Sequence, residues 1–280
     1  MGWSERECTI IGGHGFIGSH LSKRLMTLGC QPKLFGRGDR LEDFLPLGTV
    51  FYCAGMTADY LESAGATVVS HASLLAEVLQ TEAFDQVIYL SSTRLYDRFS
   101  PDQLTSENSD FPINPSQPRH LYDLTKLTGE CLCQLVKSAP AHIARLSGVY
   151  SENFAKDGFM GTLLSKLAQT PRGGVVTIDS SPGISRDYVH IDDVVSALML
   201  MSDRKGNEIY NVASGINISN QEISEIMKRR TGRFIEFTQR EDAQQFASVD
   251  VSRLSEHFSF TPRDLESALD PWLDALSSQQ

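Results

Sequence analysis

One stretch restricts the fold of this chain more than any other: Cys8-Thr9-Ile10-Ile11-Gly12-Gly13-His14-Gly15-Phe16-Ile17-Gly18. A short, mostly apolar run ends on glycines. A helical pattern follows at once, with Ile17, Leu21, Leu25 and Leu28 spaced by four and three until Gly29 stops it. The chain must therefore turn sharply from a strand into a helix. Gly12/Gly15/Gly18 and Gly13/Gly15/Gly18 both satisfy the spacing of a glycine-rich anion turn. The first glycines permit the turn, the middle one lets a diphosphate reach the backbone, and Gly18 lets helix and strand pack closely. Free N–H groups at the helix start add the positive end of its dipole. The expectation is a dinucleotide held by Gly12, Gly15, Phe16, Ile17 and Gly18. The plain alternative is a glycine turn without a ligand.

Further short apolar runs follow at 33–35, 50–53, 87–90, 144–146 and 175–178, with a helical pattern over 69–79. Strands alternating with helices predict a doubly wound parallel sheet of Rossmann type. The proline-rich stretch 100–118 reads as a long surface loop. Beyond about residue 151 glycines break up the pattern. Residues 1–150 are therefore assigned to a dinucleotide-binding domain and 151–280 to a smaller substrate-binding lobe, some of whose elements return to the first domain. The basic run Lys228–Arg233 closes a helical pattern, where cations suit the helix dipole.

With 280 residues, 41% of them hydrophobic, the chain can bury a sizeable core. Its net charge of -10 gives no general attraction for phosphate backbones, which argues against nucleic acid as a partner. Five cysteines show no disulfide framework, and Cys131-Leu-Cys133 has no second pair or histidine cluster to make a metal site. No apolar run reaches the ~18 residues of a membrane span. The first residues lack a signal-peptide pattern, so a cytoplasmic protein is expected.

In the dinucleotide turn an acid normally follows at the end of the second strand and binds the adenosine ribose. Here that strand ends Leu34-Phe35-Gly36-Arg37-Gly38-Asp39. Without a carboxylate at Gly36 a 2′-phosphate is not repelled, and Arg37 can grip it. This favours NADP(H). NAD(H) remains the alternative, with Asp39 taking the ribose after a register shift.

Tyr122 and Lys126 are four apart at the start of a helical pattern, hence neighbours on one face. Leu124, Leu127, Cys131 and Leu135 gather on the other side, which predicts a core stripe there and a Tyr–Lys face toward solvent or a site. A phenol loses its proton near ~10. A close ammonium stabilises the phenolate and brings it toward working pH. The strand at 87–90 ends in Ser91-Ser92-Thr93, hydroxyls at the strand end where ligands bind in open α/β sheets.

In this order, the glycine turn, the strand-end hydroxyls and the Tyr–Lys helix resemble the extended short-chain dehydrogenase/reductase family. The likeness is strongest to its nucleotide-sugar epimerase, dehydratase and reductase branch, and it runs from Ile10 to about Leu269. Matching segments are Phe51–Gly55, Arg145–Tyr150, Arg186–Val194 and Tyr210–Gly215. The resemblance implies catalytic Ser92, Tyr122 and Lys126, with Ser92 singled out because it lies four residues before Tyr96. It implies cofactor contacts at Ala54, Tyr122 and Lys126, and substrate contacts at Thr93, Arg94 and Arg186. Arg186 would meet a substrate diphosphate; its plain alternative is an ion pair with Asp187 or Asp192. A homodimer is also implied, because the fold often pairs through two long helices, here including 122–137.

Departures narrow the function. The family's 4,6-dehydratases carry Asp-Glu after the catalytic hydroxyl, where Thr93-Arg94 stand here. Gly148 replaces an asparagine that contacts substrate in many members. Between Arg37 and Val50 the chain is too short for the usual third strand and its adenine-binding acid. Three functions compete: an NADP(H)-dependent reductase of a keto group on a nucleotide-linked sugar or another small carbonyl substrate, an NAD-dependent nucleotide-sugar epimerase, and a non-catalytic dinucleotide-binding protein. Gly36 and Arg37 favour the first.

Overall fold

The glycine turn joins a strand to a helix as the sequence requires. The structure, a computed structural model, describes residues 2–56, 60–152, 158–239 and 244–278. Two compact units divide the chain: Met1–Leu95, Glu107–Leu146 and Val194–Asn211 form one, and Tyr96–Ser106, Ser147–Asp193 and Val212–Gln280 the other. The expected cut after residue 150 thus gives way to an interleaved division. Residues 96–106 and 147–150 belong to the second unit, and 194–211 return to the first. The physical cause is the sheet, which recruits a strand at 209–212 from late in the chain.

The first unit is built on six strands: β1 (Cys8–Ile11), β2 (Lys33–Phe35), β3 (Gly48–Tyr52), β4 (Phe84–Ser92), β5 (Ala141–Leu146) and β6 (Ile209–Val212). Their order is β6-β5-β4-β3-β1-β2. The pairings of β1 with β2 and β3, of β3 with β4, and of β4 with β5 are parallel. Ile10, Ile11, Val50, Phe51, Val87 and Ile88 are fully buried, as expected for strands covered on both faces. β2 is an edge strand, in keeping with the short connection after Arg37. The turn at Leu41–Phe44 sits beside it. Phe44 packs edge-on against Phe35 at 5.2 Å, and Lys33 Nζ donates to the carbonyls of Phe44 and Pro46.

The flanking helices are α1 (Phe16–Thr27), α2 (Ala64–Val68), α3 (Leu74–Gln80) and α4 (His120–Leu135). The pattern at 69–79 is helical but not uniform: Val69–Ser73 forms a π turn between α2 and α3. A π turn frees backbone carbonyls that need donors. Tyrosines from the sheet supply them, with Tyr52 Oη donating to the Ser70 carbonyl at 2.8 Å and Tyr89 Oη to the His71 carbonyl at 3.0 Å. A side chain at Gly129 of α4 would collide with that Tyr89 hydroxyl.

The orientation of α4 overturns one expectation. Its buried face carries Tyr122, Asp123, Thr125, Lys126, Gly129, Glu130 and Cys133, while Leu124 is 38% and Leu135 72% exposed. The inward face meets both kinds of partner: Cys133 packs with Tyr89 and Ile143 in the core, while Lys126 and Glu130 bond polar groups of β4 and β5. Helical periodicity locates a stripe but not its neighbour.

In the second unit a three-stranded sheet runs Asn217–Ser219, Ser185–His190, Gly148–Tyr150, and Val175–Ile178 pairs in parallel with Phe234–Phe237. Helices at Phe159–Gln169, Asn220–Thr231 and Leu265–Ser277 contribute Leu163, Leu167, Ile223, Met227, Leu269 and Leu273 to its core. The helix at 220 starts on a Ser219/Glu222 capping box and ends at Gly232, whose φ of +68° only glycine adopts readily. The proline-rich segment is mostly loop, but Leu104–Thr105 pairs with Ser248–Val249. All five cysteines are free. Among the described residues no helix is long and apolar enough to cross a membrane, and no cluster of His, Cys, Asp or Glu could hold a metal.

Candidate active site

Gly12 leaves β1 with φ +81°, and a Cβ there would stand 2.8 Å from the Ala54 nitrogen. A Cβ on Gly18 would run into the Gly12 carbonyl. A Cβ on Gly13 would lie 2.9 Å from Leu34 Cδ2, so the turn is closed to side chains at Gly12, Gly13 and Gly18 alike. Gly15 is the N-cap of α1 in extended conformation and offers no side-chain cap, so the glycine turn faces the N-terminal end of the helix, where its dipole is positive. This cradle, which side chains would fill, fits the diphosphate of a dinucleotide.

At the end of β2 the Gly36 N–H donates to Asp39 Oδ2 at 2.8 Å. A Cβ on residue 36 would lie 3.0 Å from His14 Cδ2 and 3.7 Å from Asp39 Oδ2. The turn thus brings the Asp39 carboxylate back toward the place where an acid at 36 would reach. Arg37 is exposed.

Ties between α4 and β4 position the reacting groups. Lys126 Nζ donates to the Leu90 carbonyl at 2.8 Å. Ser91 Oγ donates to Glu130, whose carboxylate also takes Arg145 Nη2 at 2.7 Å. Ser91 is thereby committed to a buried network, whereas Ser92 Oγ accepts only a backbone N–H, that of Arg94, at 3.2 Å. A Cβ on Gly55 would be 3.3 Å from Lys126 Nζ. The segment Ala54-Gly55 therefore runs from the glycine turn to the lysine. Burial pulls Lys126 down to about 7, with Glu130 and Cys53 opposing.

Tyr122 is 3% exposed. His71 meets its ring edge-on at 5.3 Å, Tyr60 at 5.4 Å, and the Arg94 guanidinium lies 4.9 Å from its centre. His71 Nδ1 faces Thr125 Oγ1 at 2.8 Å, while Thr125 spends its own proton on the Leu121 and Tyr122 carbonyls. On the other side of the ring, Nε2 lies 3.1 Å from both the backbone nitrogen and the carbonyl oxygen of Met56. Burial first, then Lys126, lowers His71 to about 3, so it stays neutral. No motif in the sequence marks His71, Thr125 or Tyr60. Glu130 could have been noticed as the next residue on the Lys126 face.

Thr93 and Arg94 are half-buried. Arg186 belongs to the second unit, where its guanidinium stacks on Phe246 at 3.8 Å and pairs with Asp97 at 3.7 Å. Asp187 and Asp192, the partners expected from sequence, are engaged elsewhere. Asp187 accepts from Ser214, and Asp192 faces His190 at 3.6 Å. A Cβ at Gly148 would lie 2.8 Å from the Tyr188 ring, so no asparagine could occupy that position without displacing Tyr188.

A Rossmann-type sheet, a glycine-lined anion cradle and a Tyr–Lys pair beside a strand-end serine define an NAD(P)-dependent enzyme of the short-chain dehydrogenase/reductase type. The model of the NAD dependent epimerase/dehydratase family matches residues 8–213, and the chain belongs to that family. It is 25% identical to a dTDP-4-dehydro-6-deoxy-D-allose reductase of Streptomyces sp, across 96% of this chain and 95% of that protein. Two solved structures share the fold. MoeE5 in complex with UDP-glucose and NAD has a TM-score of 0.76 and 23% identity over 96% and 97% of the two chains. RMD from Pseudomonas aeruginosa complexed with NADPH has a TM-score of 0.72 and 20% identity over 99% and 98%.

Proposed function

We propose that this chain is an NAD(P)H-dependent reductase of a keto group on a nucleotide-linked sugar. One arrangement supports this above all. Lys126 bonds the carbonyl two residues before Ser92, and its ammonium approaches Gly55, next to the Ala54 that packs on Gly12. The named activity of the Streptomyces relative supports the keto-sugar class. When bound, NAD(P)H supplies the hydride. It would be held by Gly12, Gly15, Phe16, Ile17, Gly18, Arg37 and Ala54, with Lys126 on the nicotinamide ribose. Tyr122 gives its hydroxyl proton to the carbonyl oxygen as that oxygen gains charge. Ser92, whose own proton is uncommitted, donates a hydrogen bond to the same oxygen. Lys126 stabilises the resulting phenolate. Within the first unit, Thr93 and Arg94 are the candidate sugar contacts. Thr93-Arg94 provide no carboxylate for elimination, which argues against dehydration.

The test uses a dTDP-4-keto-6-deoxyhexose as probe and follows NADPH oxidation. Tyr122→Phe is expected to keep dinucleotide affinity while turnover drops by about 10²–10⁴. Ser92→Ala should cost less. Near-normal turnover by Tyr122→Phe would remove this mechanism.

NADP(H) preference rests on Gly36 and the exposed Arg37. Arg37→Ala should weaken NADPH binding by about 1.5–3 kcal/mol and leave NADH unchanged. The Asp39 carboxylate folded onto the Gly36 N–H is the one observation favouring NAD(H), and with it the epimerase. Equal wild-type affinity for NADH and NADPH would decide for that second reading.

Pairing of two copies is supported by the exposed apolar side chains Val68, Val69, Leu124 and Leu135 on packed neighbouring helical segments.

A further inference from the structure

The backbone between the glycine turn and Lys126 is anchored by a side chain that the proton-transfer chemistry does not use. Past the end of β3, the Cys53 N–H donates to the Ile11 carbonyl at 2.8 Å. Ala54 and Gly55 follow in irregular backbone, and Gly55 is exposed. Among the described residues, the next hydrogen bond on this backbone comes from another element: His71 Nε2 lies 3.1 Å from both the nitrogen and the carbonyl oxygen of Met56. On its other edge the same ring meets Thr125 Oγ1 at 2.8 Å, one residue before Lys126. We propose that His71 is a positioning residue for the dinucleotide: its imidazole bridges α4 and the Gly55–Met56 backbone and holds that backbone at a fixed distance from the Lys126 ammonium. The proposal rests on the reading of Ala54 and Lys126 as cofactor contacts.

A Cβ on Gly55 would stand 3.3 Å from both His71 Nε2 and Lys126 Nζ, so this backbone lies against imidazole and ammonium together. Its exposure leaves room for a ligand on the other side. One residue earlier, the Ala54 nitrogen would be only 2.8 Å from a Cβ on Gly12. A shift at Gly55 and Met56 is therefore felt at the glycine turn as well as at the lysine. Lys126 is itself fixed to β4 through the Leu90 carbonyl, which leaves the loop as the part that needs holding. His71 is a firm point from which to hold it. It is fully buried, its carbonyl takes the Tyr89 hydroxyl at 3.0 Å, and the Ser70 carbonyl takes that of Tyr52 at 2.8 Å. Neutral imidazole suits the task chemically. One ring nitrogen donates and the other accepts, so the ring can bond the Met56 backbone through its N–H or its carbonyl in either tautomer. An imidazolium would repel the ammonium beside it, and burial with Lys126 holds His71 down at about 3, well away from that form.

Binding of NADPH and of NADH without substrate, followed by the fluorescence of the reduced nicotinamide, reads the position of this backbone. His71→Gln carries an amide to the place of Nε2, within reach of Met56. His71→Asn is one methylene shorter and serves only the Thr125 side, and His71→Leu makes neither bond. His71→Leu and His71→Asn are expected to weaken binding of the preferred dinucleotide by about tenfold, the effect of one lost hydrogen bond. His71→Gln should restore most of it. Each variant replaces a buried ring, so melting temperatures should fall by similar amounts in His71→Gln and His71→Asn. Tight binding by the first and weak binding by the second, at comparable melting temperature, is the signature of positioning through Met56. Affinity that merely follows melting temperature through the series overturns the proposal. So does wild-type affinity in His71→Leu and His71→Asn, with or without the fall in kcat that an effect through the neighbouring Tyr122 ring would give. Both results leave the reductase reading intact. A wild type that binds neither dinucleotide removes the cofactor reading instead, and this proposal with it.

Discussion

Burial of Lys126 ties the proposed chemistry to stability. An unfolded lysine holds its proton to about pH 10.4. In the folded chain Lys126 loses it near 7. From pH 7 upward the unfolded state therefore binds the extra proton, and stability rises with pH by up to about 1.4 kcal/mol per unit. Below pH 7 both states are charged and the slope vanishes. Buried Cys8 and Cys133 and half-buried Cys53 have raised pKa values and act in the opposite sense once unfolded thiols ionise. The useful window is thus about pH 7 to 8.5, the upper end being the free thiol value. Denaturant melts of the ligand-free protein in that window should show a shallower pH slope for Lys126→Met than for wild type. Lys126→Met should also be the more stable protein at pH 7. Parallel slopes for the two proteins would show that Lys126 stays charged when buried.

At the scale of elements, three helices of the second unit end on one side chain. Arg233, 1% exposed, donates Nε to the Thr170 carbonyl and Nη1 to those of Thr231 and Leu276. These carbonyls lie at the C-terminal ends of the helices Phe159–Gln169, Asn220–Thr231 and Leu265–Ser277. Helix C-termini carry unsatisfied carbonyls and partial negative charge, so a buried guanidinium satisfies both needs at once. Arg233→Met keeps the apolar stem but strands three acceptors, and should lower stability by about 2–4 kcal/mol. Arg233→Lys should recover only part of this, because an ammonium cannot span the fork. Chemical denaturation measures both. The sequence presented Arg233 as the end of a basic run following a helix, and nothing in that run separates it from the exposed Arg229. Only the convergence of distant helix ends makes the difference.

For the whole molecule, the inverted polarity of α4 has a consequence for assembly. Leu124 and Leu135, together with Val68 and Val69 on the neighbouring helix and π turn, expose apolar area that a lone copy leaves in water. Sedimentation at micromolar concentration is expected to show a dimer. Leu124→Glu and Val69→Glu should each shift it to monomer while dinucleotide affinity holds. A monomeric wild type would return this face to solvent.

Features set by neighbouring residues were legible in the sequence itself. Residues 8–18 alone determined strand, tight turn and helix, because only glycines fit at Gly12 and Gly18 and because the helical spacing begins directly after them. The run of apolar strands likewise determined a parallel sheet, and the short connection after Arg37 left β2 at its edge. What periodicity could not decide was which side of α4 meets the sheet. The spacing of Leu124, Leu127, Cys131 and Leu135 marks a real apolar stripe, but burial of the opposite face depends on Leu90, Ser91 and Arg145, which are remote in sequence. The surroundings of Tyr122 depend in the same way on His71 and Arg94 arriving from two other segments. The order of elements follows from local steric and hydrophobic rules, whereas the partners of a buried polar face are set by contacts that exist only once the chain has folded.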